Sequence, residues 1–258
     1  MAVQEHKTIN LNAETRPLDR FFQRCIGSCH AYLTLREDFR EHVRMVQKQV
    51  GFESLRCHGI FHDLVGIYSE DSNGEAIFNF HNVNKIYDFF LEQGLRPYVE
   101  LSFMPQALAS AGDTIFRYQA NISPPKDYQK WANLISVFVR HLVTRYGLEE
   151  VKQWHFEVWN EPDLEGIFWS GTQAEYFELY RHTVTAIKGV CDQLLVGGPS
   201  TSKNLWIEEM MEFCEVNQLP MDFVSTQHYC ADASLEVDAD VINLEYRGQK
   251  AMRSDVQI

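Results

Sequence analysis

The sequence offers its clearest chemistry where a short apolar strand is followed by an amide and a carboxyl side chain. Residues 156–159 are Phe, Glu, Val and Trp, and Asn160, Glu161 and Pro162 follow directly. Proline lacks a backbone N–H and biases the residue before it toward an extended conformation, so we predict that the strand ends here. A carboxyl group at such an end, beside an amide and an indole ring, can protonate the leaving oxygen of a sugar. Glu161 is therefore the candidate general acid.

The elements that must position these residues are strands that alternate with amphipathic helices. Six strands are predicted, at residues 25–29, 54–58, 97–101, 156–159, 195–198 and 223–228. Such alternation indicates an α/β protein with a parallel sheet. A doubly wound nucleotide-binding sheet would need a Gly-rich GxGxxG turn after an early strand, and residues 27–30 contain none. The sequence therefore favours a (β/α)8 TIM barrel.

The chain supplies about six of the eight β/α units of such a barrel. We expect an N-terminal extension at residues 1–24. Residues 25–258 are expected to form a (β/α)8 barrel that is truncated before strand seven. The residues after the sixth strand are predicted to be helical at their end, so the fold class is an incomplete barrel.

Short local signals predict where helices and turns begin. Thr34 with Glu37, and Thr172 with Glu175, have the spacing of a capping box, in which the two side chains satisfy N–H groups at the start of a helix. The run Asp-Ser-Asn-Gly at residues 71–74 predicts a turn after the second strand.

Polar side chains recur at the predicted carboxyl ends of four strands, which a barrel gathers around one mouth. They are His58, Glu100, Asn160, Glu161, His228 and Tyr229. Glu157, on the same strand as Glu161, is predicted to be a buried structural carboxylate near a basic residue. Strict alternation along that strand places Glu157, Trp159 and Glu161 on one side.

Hydrolysis of a glycoside with retention needs a second carboxylate at about 5 Å from the first. Glu245 superficially resembles such a nucleophile on a strand. The stretch between residues 223–228 and 241–245 is short for a helix with a loop on each side. We therefore predict that Glu245 is solvated and opens the last helix.

The composition is acidic, with 36 Asp and Glu against 23 Lys and Arg and a net charge of −13. This balance argues against nucleic acids and anionic membranes as partners, and no apolar run approaches the length of a membrane-spanning helix. The N-terminus has no apolar secretory segment. The six cysteines form no CxxC pair, which argues against a zinc or redox site. Free thiols without a secretory signal predict a cytoplasmic protein.

The motif that carries Glu161 has a family resemblance. Residues 156–164, Phe-Glu-Val-Trp-Asn-Glu-Pro-Asp-Leu, closely resemble the acid/base motif of glycoside hydrolase family 39, the β-xylosidases and α-L-iduronidases. Further segments that resemble the family lie at residues 56–59, 66–68, 94–105, 124–128, 145–147, 196–199 and 222–225. The resemblance is closest to the bacterial β-xylosidase branch. It implies a retaining glycosidase that acts on β-xylosides such as xylo-oligosaccharides and needs no metal or organic cofactor.

The resemblance also implies roles for single residues. Glu161 would be the acid/base, Asn160 would contact the substrate near its 2-hydroxyl, and His58 would bind the sugar in the −1 subsite. The full set of candidate substrate-binding residues is His58, Trp159, Asn160, His228 and Tyr229. The last two match the family only loosely. The family's nucleophile, a Glu on strand seven, and its accessory β-sandwich would lie further along than Ile258.

Several alternatives stay open at this point. Within the family, the chain resembles the α-L-iduronidases too, although a substrate that carries a carboxylate does not obviously suit so acidic a chain. An arabinosidase or β-glucosidase is a further alternative. A different class of protein, a truncated product that binds sugar or has no catalytic role, also fits. The sequence leaves open the aglycone and whether the protein forms a homo-oligomer.

Overall fold

The computed structural model describes residues 14, 17–202 and 204–227 of the chain. Its centre is one sheet of six parallel strands whose order in space is their order in the sequence. The strands, here called first to sixth, are Cys25–His30, Ser54–His58, Arg96–Leu101, His155–Val158, Leu195–Ser202 and Phe223–Gln227. The sheet curls, and within the described residues its first and sixth strands are edges. The prediction of an incomplete (β/α)8 barrel with six of eight units is confirmed.

Helices connect successive strands of this sheet. The α-helices are α1 Glu37–Gln49, α2 His81–Glu92, α3 Tyr128–Tyr146, α4 Leu148–Val151, α5 Gln173–Val190 and α6 Ile207–Asn217, with 3-10 turns at Phe21–Gln23 and Ala31–Leu35. Asp127 begins α3 by accepting hydrogen bonds from the backbone N–H groups of Gln129 and Lys130, at 2.8 and 3.1 Å. Gly147 ends it with a φ of 85°, which glycine adopts without strain.

The two faces of the curled sheet are chemically different. Leu55, Val99 and Phe156 turn outward from their strands and join one buried apolar cluster with helix residues such as Phe90 and Phe138. Side chains that alternate with these face the inside of the barrel, because successive residues of a strand point to opposite faces. The inside is polar, and its upper layer opens at the carboxyl ends of the strands.

Some local predictions are confirmed and one is wrong. Thr172 and Glu175 form the complete capping box at the start of α5. Thr34 does not cap α1, because it lies inside the 3-10 turn and Arg36 takes the N-cap position without a side-chain cap. The predicted turn at residues 71–74 joins a two-stranded hairpin, Tyr68–Glu70 with Ala76–Phe78, that the sequence analysis missed.

A second small hairpin lies in the long loop after the third strand. It pairs Thr114–Ile115 with Ala120–Asn121, and it was not predicted. Among the described residues, no helix is both long and apolar enough to cross a membrane. The five described cysteines are free thiols, as predicted. The boundary between an extension and the barrel at residues 24 and 25 stays a prediction.

Candidate active site

The candidate active site lies where the strands end at their carboxyl termini. His30 and His58 are the last residues of the first and second strands. Asn160 and Glu161 follow the fourth strand, and Gln227 is the last residue of the sixth. Of the predicted site residues, the structure brings His58, Asn160 and Glu161 to this one mouth. His228, Tyr229 and Glu245 lie outside the described residues.

The backbone around Glu161 is sharply bent. The fourth strand ends at Val158, and Trp159 and Glu161 have φ values of 70° and 43°. These left-handed conformations are uncommon for residues with a side chain, and they cluster at functional sites. They also break the strict alternation that would place Glu157, Trp159 and Glu161 on one side of the strand.

Hydrogen bonds from the fifth strand hold this bend. The backbone N–H of Glu161 donates to the carbonyl of Ser200 at 2.9 Å. Asp163 accepts two further hydrogen bonds from Ser202, at 2.8 Å from its backbone N–H and 2.5 Å from its hydroxyl. The loop after the fourth strand is therefore tied to the fifth strand on both sides of Pro162. Glu161 itself is only 7% exposed, so its carboxyl group is held on a fixed backbone.

Arg56 is the centre of what we call the arginine cluster, formed by Arg56, Glu100, Glu157, Asn160 and Ser200. Its Nε donates to Glu157 Oε2 at 2.6 Å, and its Nη2 lies 2.8 Å from Glu100 Oε2. The same Nη2 donates to Asn160 Oδ1 at 3.0 Å and to Ser200 Oγ at 3.2 Å. One guanidinium thus joins four strands or strand ends. Glu157 is the buried carboxylate beside a basic residue that the sequence predicted.

Burial and charge set the protonation of this cluster. Glu100 is fully buried, and burial raises its pKa from the ordinary 4.5 to about 7, with Arg56 opposing the rise and Glu157 adding to it. The hydroxyl of Ser102 donates to Glu100 Oε1 and accepts the backbone N–H of Gly59 at 3.1 Å. One cation therefore faces two carboxyl groups, and burial favours the protonated form of Glu100.

A second group, here called the histidine cluster, consists of His30, His58, His62 and Tyr118. The hydroxyl of Tyr118 lies 3.0 Å from His58 Nε2, and its ring stacks on His30 with centroids 4.4 Å apart. His62 Nδ1 accepts the backbone N–H of Leu64 at 3.1 Å, so its Nε2 carries the hydrogen and donates to the carbonyl of Tyr118 at 2.9 Å. Tyr118 is fixed by contacts with all three imidazoles.

The histidine cluster is neutral near pH 7. Burial lowers the pKa of His58 to about 4, and the positive charge of Arg56 and the neighbouring His62 add to the effect. Burial likewise lowers the pKa of His30 to about 3, with smaller contributions from His62 and His58. A neutral imidazole donates through one ring nitrogen and accepts through the other. It can therefore hydrogen-bond a sugar hydroxyl in either sense.

Trp159 lies beneath the site. Its side chain is fully buried, and its indole Nε1 donates to the carbonyl of Phe168 at 2.7 Å. Its ring packs edge-on against Phe103 and Trp169, with centroids 6.0 and 5.0 Å apart. These contacts indicate that Trp159 supports the bent backbone at Glu161. The direct contact of Trp159 with substrate stays a prediction.

Sequence analysis missed Arg56, Gln227 and Tyr118 as site residues. Arg56 precedes His58 by two residues in one strand, so the period of a strand puts both on one face and could have indicated it. Gln227 was missed because the predicted sixth strand was extended to residue 228, one residue beyond the observed end. Tyr118 had no signal, because it belongs to the unpredicted hairpin. Among the described residues, no three His, Cys, Asp or Glu side chains form a cluster suited to a metal.

Comparison with known proteins gives a consistent result. The sequence profile of the family described as Glycosyl hydrolases family 39 matches residues 6–257. A β-xylosidase of Caldicellulosiruptor saccharolyticus is 44% identical over 249 residues, which are 96% of this chain and 50% of the relative. A β-xylosidase of Geobacillus stearothermophilus is 41% identical over 214 residues, 81% of this chain and 42% of the relative.

Solved structures agree with the sequence relatives. The crystal structure of a monomeric β-xylosidase from Caulobacter crescentus CB15 superposes with a TM-score of 0.79 at 40% identity. The superposition covers 85% of this chain and 44% of that structure. The chain therefore spans about half the length of the curated relatives it matches.

Proposed function

This chain belongs to glycosyl hydrolases family 39, and we propose that the protein that carries it is a retaining β-xylosidase acting on xylo-oligosaccharides. The observation that carries the proposal is the bent, buried strand end that presents Asn160 and Glu161 beside the arginine cluster. The two β-xylosidases that are 41–44% identical to the chain support the choice of substrate.

In the proposed mechanism Glu161 acts twice. Its carboxyl group first protonates the glycosidic oxygen while a nucleophilic carboxylate attacks the anomeric carbon from the opposite side, and the aglycone leaves. Glu161, now ionised, then removes a proton from the water that attacks the glycosyl-enzyme, and the sugar is released with retained configuration. The hydrogen bond from the Glu161 N–H to the Ser200 carbonyl supports this role, because it fixes the backbone from which the carboxyl group extends.

The nucleophile is proposed to be a Glu supplied from outside residues 1–258. Glu157 and Glu100 share Arg56 with Asn160, and both are paired with its guanidinium in the interior of the barrel. We propose that Asn160 contacts the sugar near its 2-hydroxyl and that His58 binds it in the −1 subsite. His228 and Tyr229 stay predicted substrate contacts, and no metal or organic cofactor takes part in the proposed reaction.

The test uses the full-length product of the reading frame that contains this chain. Aryl β-xyloside, α-arabinoside, β-glucoside and α-iduronide should be compared, and we expect the highest kcat/KM on the β-xyloside. Highest activity on the iduronide would instead favour an α-L-iduronidase. Failure to hydrolyse all four, with retained sugar binding, would identify a sugar-binding protein and contradict the proposal.

The role of Glu161 has its own test. Glu161→Ala should slow hydrolysis of xylosides with poor leaving groups by about 10²–10⁴-fold, the range of general acid catalysis, and activated aryl xylosides far less. Azide should partly restore turnover, because a small anion attacks the glycosyl-enzyme without help from a base. Glu165→Ala, at an exposed position in the same loop, is the matched control and should change little. An equal loss on all substrates without azide rescue would contradict the role.

Residues 1–258 expressed alone should be inactive as a retaining glycosidase and poorly stable or self-associating, because the first and sixth strands are sheet edges within the described residues. Turnover of an aryl xyloside by this fragment would contradict the proposed position of the nucleophile. So would an experimental structure in which Glu161 and Glu245 face each other at about 5–5.5 Å, the separation of a retaining pair.

A further inference from the structure

The amide of Asn160 is held from two other strands of the sheet. Its Oδ1 accepts from Arg56 Nη2 of the second strand at 3.0 Å and from Gln227 Nε2 of the sixth strand at 2.7 Å. The hydroxyl oxygen of Ser200 lies within reach of the same two donors, at 3.2 and 3.4 Å. Asn160 is 5% exposed, so these contacts, and not bulk water, decide how its amide is turned.

Chemistry at Arg56 fixes the orientation of this amide. The oxygen and nitrogen of an asparagine have nearly the same shape, so only their partners identify them. A guanidinium has donors and no acceptor. Asn160 must therefore turn its oxygen toward Arg56, and Gln227, which meets that same oxygen, must present its NH2 group. The NH2 group of Asn160 is then left on the side away from both donors.

We propose that Gln227 is a positioning residue that locks the NH2 group of Asn160 toward the substrate. The inference rests on the proposed function, in which Asn160 meets the sugar near its 2-hydroxyl. A flip of the amide would turn the NH2 group of Asn160 toward the donors of Arg56 and Gln227, and Gln227 thus adds a second donor that favours the unflipped orientation. The hydrogen bond from Gln227 matters because Arg56 also pairs with Glu100 and Glu157, so its donors are shared among several acceptors.

The locked orientation has a consequence for substrate choice. An NH2 group donates and cannot accept, so it pairs with a hydroxyl oxygen of the sugar. A substrate that lacks this hydroxyl leaves the buried NH2 group without a partner, which costs binding energy in the transition state. Gln227 should therefore control the ratio of kcat/KM for an aryl β-xyloside to kcat/KM for its 2-deoxy analogue, without touching either substrate.

Two substitutions in the full-length protein test this role. Gln227→Glu replaces the donor by an acceptor, so Asn160 is drawn to turn its NH2 group away from the sugar. The ratio should fall by about 100-fold, on the scale of one lost positioned donor. Gln227→Met removes the donor without adding an acceptor, and the ratio should fall by about tenfold or less, the scale of one ordinary hydrogen bond. Gln129→Glu, exposed at the start of α3, is the control for the added charge and should leave the ratio unchanged.

The ratio does not depend on the fraction of protein that is folded, because both substrates are measured on one preparation. Equal losses on both substrates in Gln227→Glu and Gln227→Met would overturn the role of Gln227 while the proposed function stands. A wild-type protein that hydrolyses neither substrate, or does not distinguish them, would overturn the proposed contact of Asn160 and this inference with it. Asn160→Ala tests the proposed contact directly. If Asn160 does not contact the 2-hydroxyl, the ratio of kcat/KM for the xyloside to that for its 2-deoxy analogue will be the same in Asn160→Ala and in the wild type.

Discussion

The arginine cluster and the histidine cluster lie at the same mouth, and they are held together by different forces. In the arginine cluster a single cation contacts two buried carboxyl groups at 2.6 and 2.8 Å. In the histidine cluster the rings of His30 and Tyr118 stack at 4.4 Å and hydrogen bonds join neutral groups. The first arrangement depends on one residue, whereas the second spreads its contacts over four.

This difference follows from the cost of burying charge. Removing a carboxylate from water is expensive unless a cation and further hydrogen bonds replace the water. Burial of an imidazole costs less, because the group loses its proton and stays neutral, as the lowered pKa of His58 illustrates. The proposed substrate, an uncharged sugar, suits a site that is lined on one side by neutral rings.

The largest expected effect comes from removing the central cation. Arg56→Met leaves Glu157 in a buried position without its partner, and we expect the free energy of unfolding to fall by about 3–5 kcal/mol. Arg56→Lys keeps the charge but loses the planar fork of donors, so its effect should be intermediate. Urea denaturation of the full-length protein measures both.

Arg36→Met is the matched control for this prediction. Arg36 pairs with Asp38 at 2.5 Å, but both side chains are 59% exposed. Water replaces the partner of an exposed charge, so the denaturation midpoint should hardly change. A similar destabilisation by the two Arg→Met substitutions would contradict the view that the arginine cluster depends on its burial.

The sequence predicted the frame of the site better than its contacts. The six strands were found from periodicity and from turn residues, which are local properties of the chain. The bend at Trp159 and Glu161 was missed, because it depends on the hydrogen bond from Glu161 to Ser200, a residue of the next strand. A pattern within one strand contains no information about that partner.

The residues of the arginine cluster could be predicted from the sequence better than those of the histidine cluster. Glu157 was expected to be buried beside a basic residue, and the alternation of the second strand would have indicated Arg56 as that residue. The histidine cluster includes Tyr118, which belongs to a hairpin that no pattern in the sequence predicted. Site residues that lie on the loops after barrel strands therefore cannot be predicted from the periodicity of the strands.

A pH series sharpens the comparison, because the clusters respond to pH in opposite directions. The pKa of Glu100 is raised by burial to about 7, so between pH 4.5 and 7 the folded protein keeps a proton that the unfolded chain has lost. Its contribution to stability is present at low pH and is lost as the pH rises, by up to about 1.4 kcal/mol per pH unit. For His58, whose pKa is lowered to about 4, stability is lost as the pH falls below 6.5.

Glu100→Gln separates these two contributions. The amide cannot ionise, so the difference in unfolding free energy between variant and wild type should shift in favour of the variant as the pH rises from 5 to 8. The loss of stability on acidification that comes from His58 and His30 should remain in the variant. Urea denaturation at each pH gives both quantities. A difference that stays constant across the series would contradict the assignment to Glu100.

The smallest expected effect comes from the histidine cluster, where no single contact dominates. Tyr118→Phe removes the hydroxyl that bonds His58 but keeps the ring stacked on His30. The free energy of unfolding should fall by only about 0.5–1.5 kcal/mol, the worth of one neutral hydrogen bond. Because His58 then loses the partner that holds its ring, kcat/KM for an aryl β-xyloside should fall by about tenfold or less.

Tyr128→Phe is the control for this variant. Tyr128 is also half-buried, and its hydroxyl donates to the backbone carbonyl of Glu175 at 3.2 Å, between the helices outside the barrel. The same atom is deleted and one neutral hydrogen bond is lost, so stability should change by a similar amount while kcat/KM stays at the wild-type value. Equal kinetic effects of the two variants would mean that Tyr118 acts only through the stability of the fold. A kinetic loss confined to Tyr118→Phe would tie the histidine cluster to substrate binding, through a tyrosine that the sequence gave no reason to select.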